Sequence, residues 1–408
     1  MAQHAASEHM LSSTELDRIY RRNFIYFLWD FVVFGVAISL IGASTVIPDF
    51  VRKLTDQEVV IALSGQMFEV GWLLPQLLVA RYLMGVANKK WWFVAPNIPV
   101  RTFILIFGVL VAVLGPGRPT AILLAFLLLY GLAGIGDGLV GLPWVDLMGS
   151  SLDDKRRSRL FGLGNALIGV LMLGLAPLVG VILGDSGPDF PNNYALLFGV
   201  SGLLFFITLP MMMFIHELPG GKPSDTIPTL REYLPDLGRV LRDDGPFRAV
   251  IIARVLMAFF TLAAPFYVGF ATEQIGVSSN AAVSRLMLMQ TLGSVAGSLL
   301  FSRYGDRRSL EFIRGSLAIG LLLPILALVA SVAGPAPLYV GFLASGVMNG
   351  CLMFSFLNWI IAYTTAEQRP VYSGLFNSVS AVGLLVAPLT GGVVVQNLGY
   401  EAAFVVAL

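Results

Sequence analysis

The sequence predicts an all-α integral membrane protein arranged as two six-helix bundles. Three observations carry this: repeated apolar runs of spanning length, a charge content too low for a water-soluble fold, and one whole span that recurs in the second half. The chain has 408 residues, 56% of them hydrophobic and 12% charged, with a mean hydropathy of +0.80. Soluble domains carry roughly a quarter charged residues, so this chain has about half the usual polar surface to offer water. A net charge of +1 argues against nucleic acid as a partner and leaves the lipid bilayer as the surroundings. The single cysteine, Cys351, excludes an intrachain disulfide.

In order along the chain, residues 1–22 form a polar tail containing Glu8, Glu15, Asp17, Arg18, Arg21 and Arg22, with none of the features of a cleaved leader. A spanning helix needs about 20 apolar residues. Six such runs follow in residues 23–215, at about 23–48, 58–83, 91–114, 120–147, 160–183 and 194–215. Residues 216–247 form a central loop. Five more runs lie in 248–408, at about 249–272, 281–302, 311–333, 338–362 and 372–395. A twelfth begins near Glu401 and reaches Leu408, so twelve transmembrane helices are expected with the last incomplete.

Basic residues set the orientation, because cytoplasmic loops carry the excess of lysine and arginine. Placing the N-terminus inside puts Lys89 and Lys90, Lys155 to Arg159, the central-loop arginines, Arg303 to Arg314 and Arg369 on one side. The other side receives Arg52, Lys53, Arg118 and Arg285. The cytoplasmic membrane is the expected location. In the central loop Leu230, Tyr233, Leu234, Leu237, Val240 and Leu241 recur at three- and four-residue spacing, which predicts an amphipathic surface helix over about 230–241.

The repeat joins span 5 to span 11. Arg157, Gly162, Asn165, Ala176, Pro177 and Gly180 recur in order as Arg369, Gly374, Asn377, Ala387, Pro388 and Gly391, within one residue of the same spacing. Parallel repeats are a transporter architecture.

With these residues the chain resembles the major facilitator superfamily along its whole length. That family carries Gly-x-x-x-Asp-Arg-x-Gly-x-Arg-Arg after helix 2 and again after helix 8. Here the second copy reads Ser298-Leu-Leu-Phe-Ser302-Arg303-Tyr-Gly305-Asp306-Arg307-Arg308, while only Lys89 and Lys90 survive of the first. Pro177 and Pro388 stand in similar proline-glycine settings, which read as kinked, closely packed helices. The resemblance implies a small-solute transporter working by alternating access as a monomer. Tyr130 occupies the helix 4 position where the family often has an arginine linked to proton coupling, so protons are one option for the coupling ion rather than a consequence of the motif. A non-transporting sensor or assembly factor of the same fold is the alternative.

Charged groups at membrane depth are costly unless paired or wetted, which makes each a functional candidate. Five qualify: Asp30, Glu69, Arg101, Asp137 and Arg254. Glu69 and Arg101 lie at similar depths on consecutive spans, which predicts a structural ion pair. Asp30 and Arg254 open spans 1 and 7, which line opposite sides of the central cavity by resemblance. They suggest a lock between halves, or separate water-facing groups. That leaves Asp137 unpartnered, the acid able to carry a transported proton, with Trp144 two turns away on the same side. Around it Gly134 and Gly138 form a small-residue face. On span 10, Asn349, Ser355 and Asn358 are polar candidates facing the cavity.

No phosphate-binding loop occurs, and His4, His9 and His216 all fall in the tail or central loop. Neither an ATP-driven pump nor a metal or serine hydrolase is expected, and no cofactor is needed.

Overall fold

The computed structural model describes residues 12–83, 86, 89–218, 238–304, 309–364 and 369–408, which are helical with short connections and, among these residues, no strand. The first helix, α1 (Ser13–Ile41), starts on a reciprocal cap: the Ser12 hydroxyl accepts from Glu15 N–H, and the Glu15 carboxylate accepts from Ser12 N–H. It ends at Gly42, whose φ of 55° is the left-handed conformation glycine adopts without strain. The chain resumes as α2 (Val46–Arg52). The unbroken span expected over 23–48 is therefore two helices. Gly42, Ala43, Ser44 and Thr45 are apolar or small enough to pass in a hydropathy window, yet none compels a helix to continue.

The second span is likewise divided, into α3 (Glu58–Leu73) and α4 (Gln76–Leu83), with Pro75 between them. Then follow α5 (Lys90–Leu114), α6 (Pro119–Ser151), α7 (Asp154–Leu183) and α8 (Asn192–Met213). In the central loop residues 238–243 are helical, and the rest of the surface helix expected over 230–241 lies outside the described residues. The seventh span is α9 (Gly245–Ala258), a 3-10 segment (Phe259–Phe266) containing Pro265, and α10 (Tyr267–Glu273). The remaining helices are α11 (Ser279–Tyr304), α12 (Ser309–Gly320), α13 (Leu322–Ala333), α14 (Ala336–Tyr363), α15 (Arg369–Leu398) and α16 (Tyr400–Val406). Pro177 and Pro388 lie inside α7 and α15, which continue through them.

Among the described residues eight stretches are long and apolar enough to cross a bilayer, against eleven expected. Two of the three missing stretches have physical causes: Pro75 divides the second span, and Arg285, Gln290, Thr291, Ser294 and Ser298 make α11 polar. The third, in α14, is followed only over Ala336–Leu352 because the side chains at 353–354 lie outside the described residues.

In the first group α1 packs on α7 and α8, α5 on α6 and α8, and α3 on α6. In the second, α14 packs on α11, α12 and α13, while α15 packs on α9 and the 3-10 segment. Two seams join the groups: α3 and α4 against α15, and α7 against α11. Phe50, Phe107, Phe126, Tyr194 and Phe198 form an aromatic core in the first group, with Phe107 and Phe198 ring centres 4.9 Å apart. At the other end Asp244 caps α9 by accepting from Phe247 N–H and receives the hydroxyls of Tyr363 and Tyr372. Burial works to raise the Asp244 carboxyl, but these three donors together hold it below the usual carboxylate range.

The glycine face of α6 meets the backbone of α3. A Cβ on Gly134 would lie 2.8 Å from Phe68 O and 2.9 Å from Phe68 Cα. One on Gly131 would meet only the flexible Met67 side chain, at 3.4 Å. Gly134→Ala should therefore cost about 1–3 kcal/mol by overpacking and lower the monodisperse fraction in detergent size-exclusion chromatography, while Gly131→Ala leaves it unchanged.

Candidate functional site

Three regions gather polar groups inside the bundle. The first lies within α1, α5 and α6. Arg101 on α5 is 5% exposed and reaches two carboxylates: its Nη2 is 3.9 Å from Asp30 Oδ1 and 3.8 Å from Asp137 Oδ1. Both distances exceed a hydrogen bond, so the guanidinium is shared between the acids and tightly bound to neither. Its Nε donates to Asn97 Oδ1 at 3.1 Å, and its plane lies over Phe34 with Cζ 4.3 Å from the ring centre. Asn97 is itself held by donating to Phe93 O. Trp144 Nε1 donates to Asp30 Oδ2 at 2.9 Å. Asp30 Oδ1 and Arg101 Nη1 are buried without a hydrogen-bond partner.

This corrects the pairing expected from depth. Arg101 takes Asp30 and Asp137 rather than Glu69, and Asp137 has a partner after all. Glu69 pairs instead with Arg254, Oε1 to Nη2 at 3.7 Å, so the Asp30–Arg254 lock is replaced by a Glu69–Arg254 contact from α3 to α9. Trp144 serves Asp30, not Asp137. Residue counting measures position along a helix axis but not which way a side chain points around it, and that angle chooses the partner.

The second region is a cavity of about 330 Å³ between α1 and α7 on one side and α11 and α14 on the other. The break at Gly42 to Thr45 forms part of its wall, as do Asn165, Gln290, Ser294 and Asn349. Ser44 Oγ donates across it to Gln290 Oε1 at 3.3 Å. Of the candidates on α14, Asn349 lines this cavity, Ser355 donates into its own helix at Cys351 O, and the Asn358 side chain lies outside the described residues. Gln290 and Ser294 carry no expectation from the sequence and Ser298 only one as a loop-motif position, although their four-residue spacing puts all three on one helix face.

The third region joins the two groups at the end bearing Arg52 and Lys53. Arg52 forks onto Glu58 at 2.7 and 3.1 Å and reaches Glu273 of α10 at 3.2 Å. Glu273 also accepts from the Tyr400 hydroxyl at 2.8 Å. Beside it Asp49 accepts from Lys53, from the Tyr194 hydroxyl and from Ser279 Oγ of α11. At the opposite end of the seam, Asn377 Nδ2 donates to Gln76 Oε1 at 2.8 Å.

Of the loop-motif residues, Lys89 and Lys90 offer their backbone N–H groups to the Glu217 carboxylate at the start of α5, and Lys89 Nζ pairs with Asp146 at 2.9 Å. Arg303 is exposed and donates to Tyr304. Gly305, Arg307, Arg308 and the Ser302 side chain lie outside the described residues.

The family model described as Major Facilitator Superfamily matches residues 279–408. The proton-coupled antiporter flippase LtaA of Staphylococcus aureus (strain USA300) is 25% identical over 134 residues, which are 32% of this chain and 34% of that protein. The match thus spans about a third of the length of the curated relatives. Among solved structures, the human organic anion transporter MFSD10 (TETRAN) is similar with a TM-score of 0.64 and 19% identity, covering 94% of this chain and 96% of that one. The nucleoside transporter NupG gives 0.64 and 14%, covering 95% of each chain. A D-xylose-proton symporter gives 0.61 and 12%, covering 96% and 94%. The family model thus matches about the last third of the chain, and over nearly its full length the chain shares the fold of these solved transporters.

Proposed function

We propose that the protein is a secondary active transporter, moving a small organic solute through the cytoplasmic membrane by alternating access with protons as the coupling ion. One observation carries the reading: a cavity with amide and hydroxyl groups on its wall lies between the two groups of helices, and side-chain contacts cross from one group to the other at the Arg52 end. A receptor or scaffold needs no such divided, latched cavity. The first and seventh spans are both interrupted, at Gly42 to Thr45 and at Phe259–Phe266. Interrupted helices at corresponding places in two repeats are a pointer to a transport site. The named similarities to a proton-coupled antiporter flippase and to nucleoside, organic anion and sugar carriers agree with this class.

In this reading residues 23–215 and 248–408 rock as two bodies within one monomer, with the N-terminus in the cytoplasm and the Arg52 latch facing out. Proton handling falls to the Asp30–Arg101–Asp137 cluster, where two carboxylates share one guanidinium and a single proton restores charge balance. The connection to the solute is α1, which bears Asp30 and, eight residues or about 12 Å further on, Ile38 at the cavity wall.

The latch gives the test. On a Cys351→Ala background, spin labels at Asp56 and Ser278, both exposed and on opposite sides of the latch, report the separation of the two groups. Glu273→Gln removes the crossing charge and should shift the distance distribution toward longer separations. An unchanged distribution would remove the latch, and with it the alternating-access reading of this end.

A further inference from the structure

We infer that the transported solute is uncharged and recognised by its hydroxyl groups. The inference rests on the transporter reading above and comes from the chemistry of the cavity wall. No aspartate, glutamate, lysine, arginine or histidine is among its described lining residues. The polar groups are amides and hydroxyls, contributed by both groups of helices: Asn165 from α7, Gln290 and Ser294 from α11, Asn349 from α14. An ionised solute taken from water into such a wall would lose hydration without meeting an opposite charge. A solute bearing hydroxyls would exchange water for amide and hydroxyl partners at little cost.

The existing hydrogen bonds sharpen the point. Asn165 donates its Nδ2 to Phe161 O within α7, which leaves Oδ1 as an acceptor. Gln290 accepts from Ser44 through Oε1, which leaves Nε2 as a donor. Ser39 and Thr291 send their hydroxyl protons to their own helix carbonyls, Gly35 O and Met287 O, so their lone pairs remain to accept. The wall thus offers several acceptors and a donor, a mixture that a hydroxyl, at once donor and acceptor, can satisfy. Thr45 adds an independent observation. It sits at the N-cap of α2 but makes no capping bond, is 1% exposed at the wall, and its Oγ1 has no hydrogen-bond partner. A solute hydroxyl would supply one. The volume, about 330 Å³, lies at the small end of the roughly 300–1,000 Å³ usual for small-molecule sites.

The charged cluster does not contradict this. Asp30, Arg101 and Asp137 lie inside one group of helices and none of them lines the cavity. Proton handling and solute recognition are thus separated, and the solute need carry no charge for the first to operate.

The test is equilibrium binding to purified protein in phosphatidylcholine nanodiscs. The probes are methyl glucoside, glycerol and uridine as neutral hydroxylated solutes, gluconate as an anion, choline as a cation, and glucosylceramide to present the same hydroxyls on a lipid. At least one neutral probe should bind, and the charged ones should not. Binding by glucosylceramide alone would assign the hydroxyls to a lipid headgroup, and binding by a soluble probe to a free solute. For the bound probe, Asn165→Ala and Gln290→Ala should each weaken affinity roughly threefold to tenfold, the worth of one hydrogen bond. Thr45→Val should weaken it similarly while leaving the melting temperature unchanged or higher, because it removes an unpartnered buried hydroxyl. Binding of gluconate or choline as tight as any neutral probe, or no neutral probe binding at all, would overturn the inference. Flux into proteoliposomes separates the two claims. A neutral probe that binds but is never translocated sinks the transporter reading alone, whereas translocation of a charged probe sinks this inference alone.

Discussion

Arg101→Met protein should lose most of its folded yield, and adding Asp30→Asn and Asp137→Asn should restore it. Arg101 is the cation that both buried acids face, at 3.9 and 3.8 Å. Removing one partner of a buried charge cluster leaves the others uncompensated, a penalty of about 3–5 kcal/mol. Neutral amides at 30 and 137 remove that penalty. Glu69→Gln combined with Arg101→Met should give no rescue, since Glu69 faces Arg254. Fluorescence-detected size-exclusion chromatography and thermal melts of the four proteins decide it. Equal losses in the single and triple variants would show that the cluster contributes packing rather than charge.

The second large effect is on pH response, and its sign differs from the first. Asp137→Asn leaves Arg101 facing one carboxylate, Asp30, so the buried charges balance without a proton. Stability should hold or rise, yet the protein should stop responding to pH. With labels at Asp56 and Ser278, wild type should change its distance distribution between acid and alkaline buffer, because proton uptake at the cluster biases the two states differently. The Asp137→Asn protein should give the same distribution in both. A variant that keeps the wild-type response would place proton coupling elsewhere. This replaces an unpartnered Asp137 as the coupling acid with a carboxyl pair that shares one arginine.

How far the sequence carries can be seen at particular residues. The fold class, most of the spans and the glycine face on α6 were legible because apolar runs and small-residue spacing are properties of one helix at a time. The five charges at membrane depth were legible as a set for the same reason, although only Asp30, Arg101 and Asp137 are buried and Glu69 is half exposed. Their pairing was not, because it depends on the rotation of each helix about its axis. The break at Gly42 was hidden because small residues suit helix and turn alike inside an apolar run. Asn165 and Asn377 are repeat equivalents by sequence, yet one faces the cavity and the other bonds Gln76 across the seam. Repetition specifies a backbone position, and the neighbour across the interface specifies its use. The cavity was missed because its wall mixes apolar residues with serines, threonines and amides, which are individually ordinary in membrane helices.

Arg52 holds Glu58 of its own group at 2.7 Å and Glu273 of the other at 3.2 Å. If the groups part as proposed, the arginine would give up the longer contact and keep the bidentate one, so separation would not strand a bare guanidinium. Glu273, half exposed, is met by water and by Tyr400. The work of undoing this fastening is therefore that of a surface ion pair, about 1 kcal/mol or less. Under the alternating-access proposal, a fastening that weak would not trap the protein in one orientation, and the balance between two orientations would stay open to a ligand or a single proton.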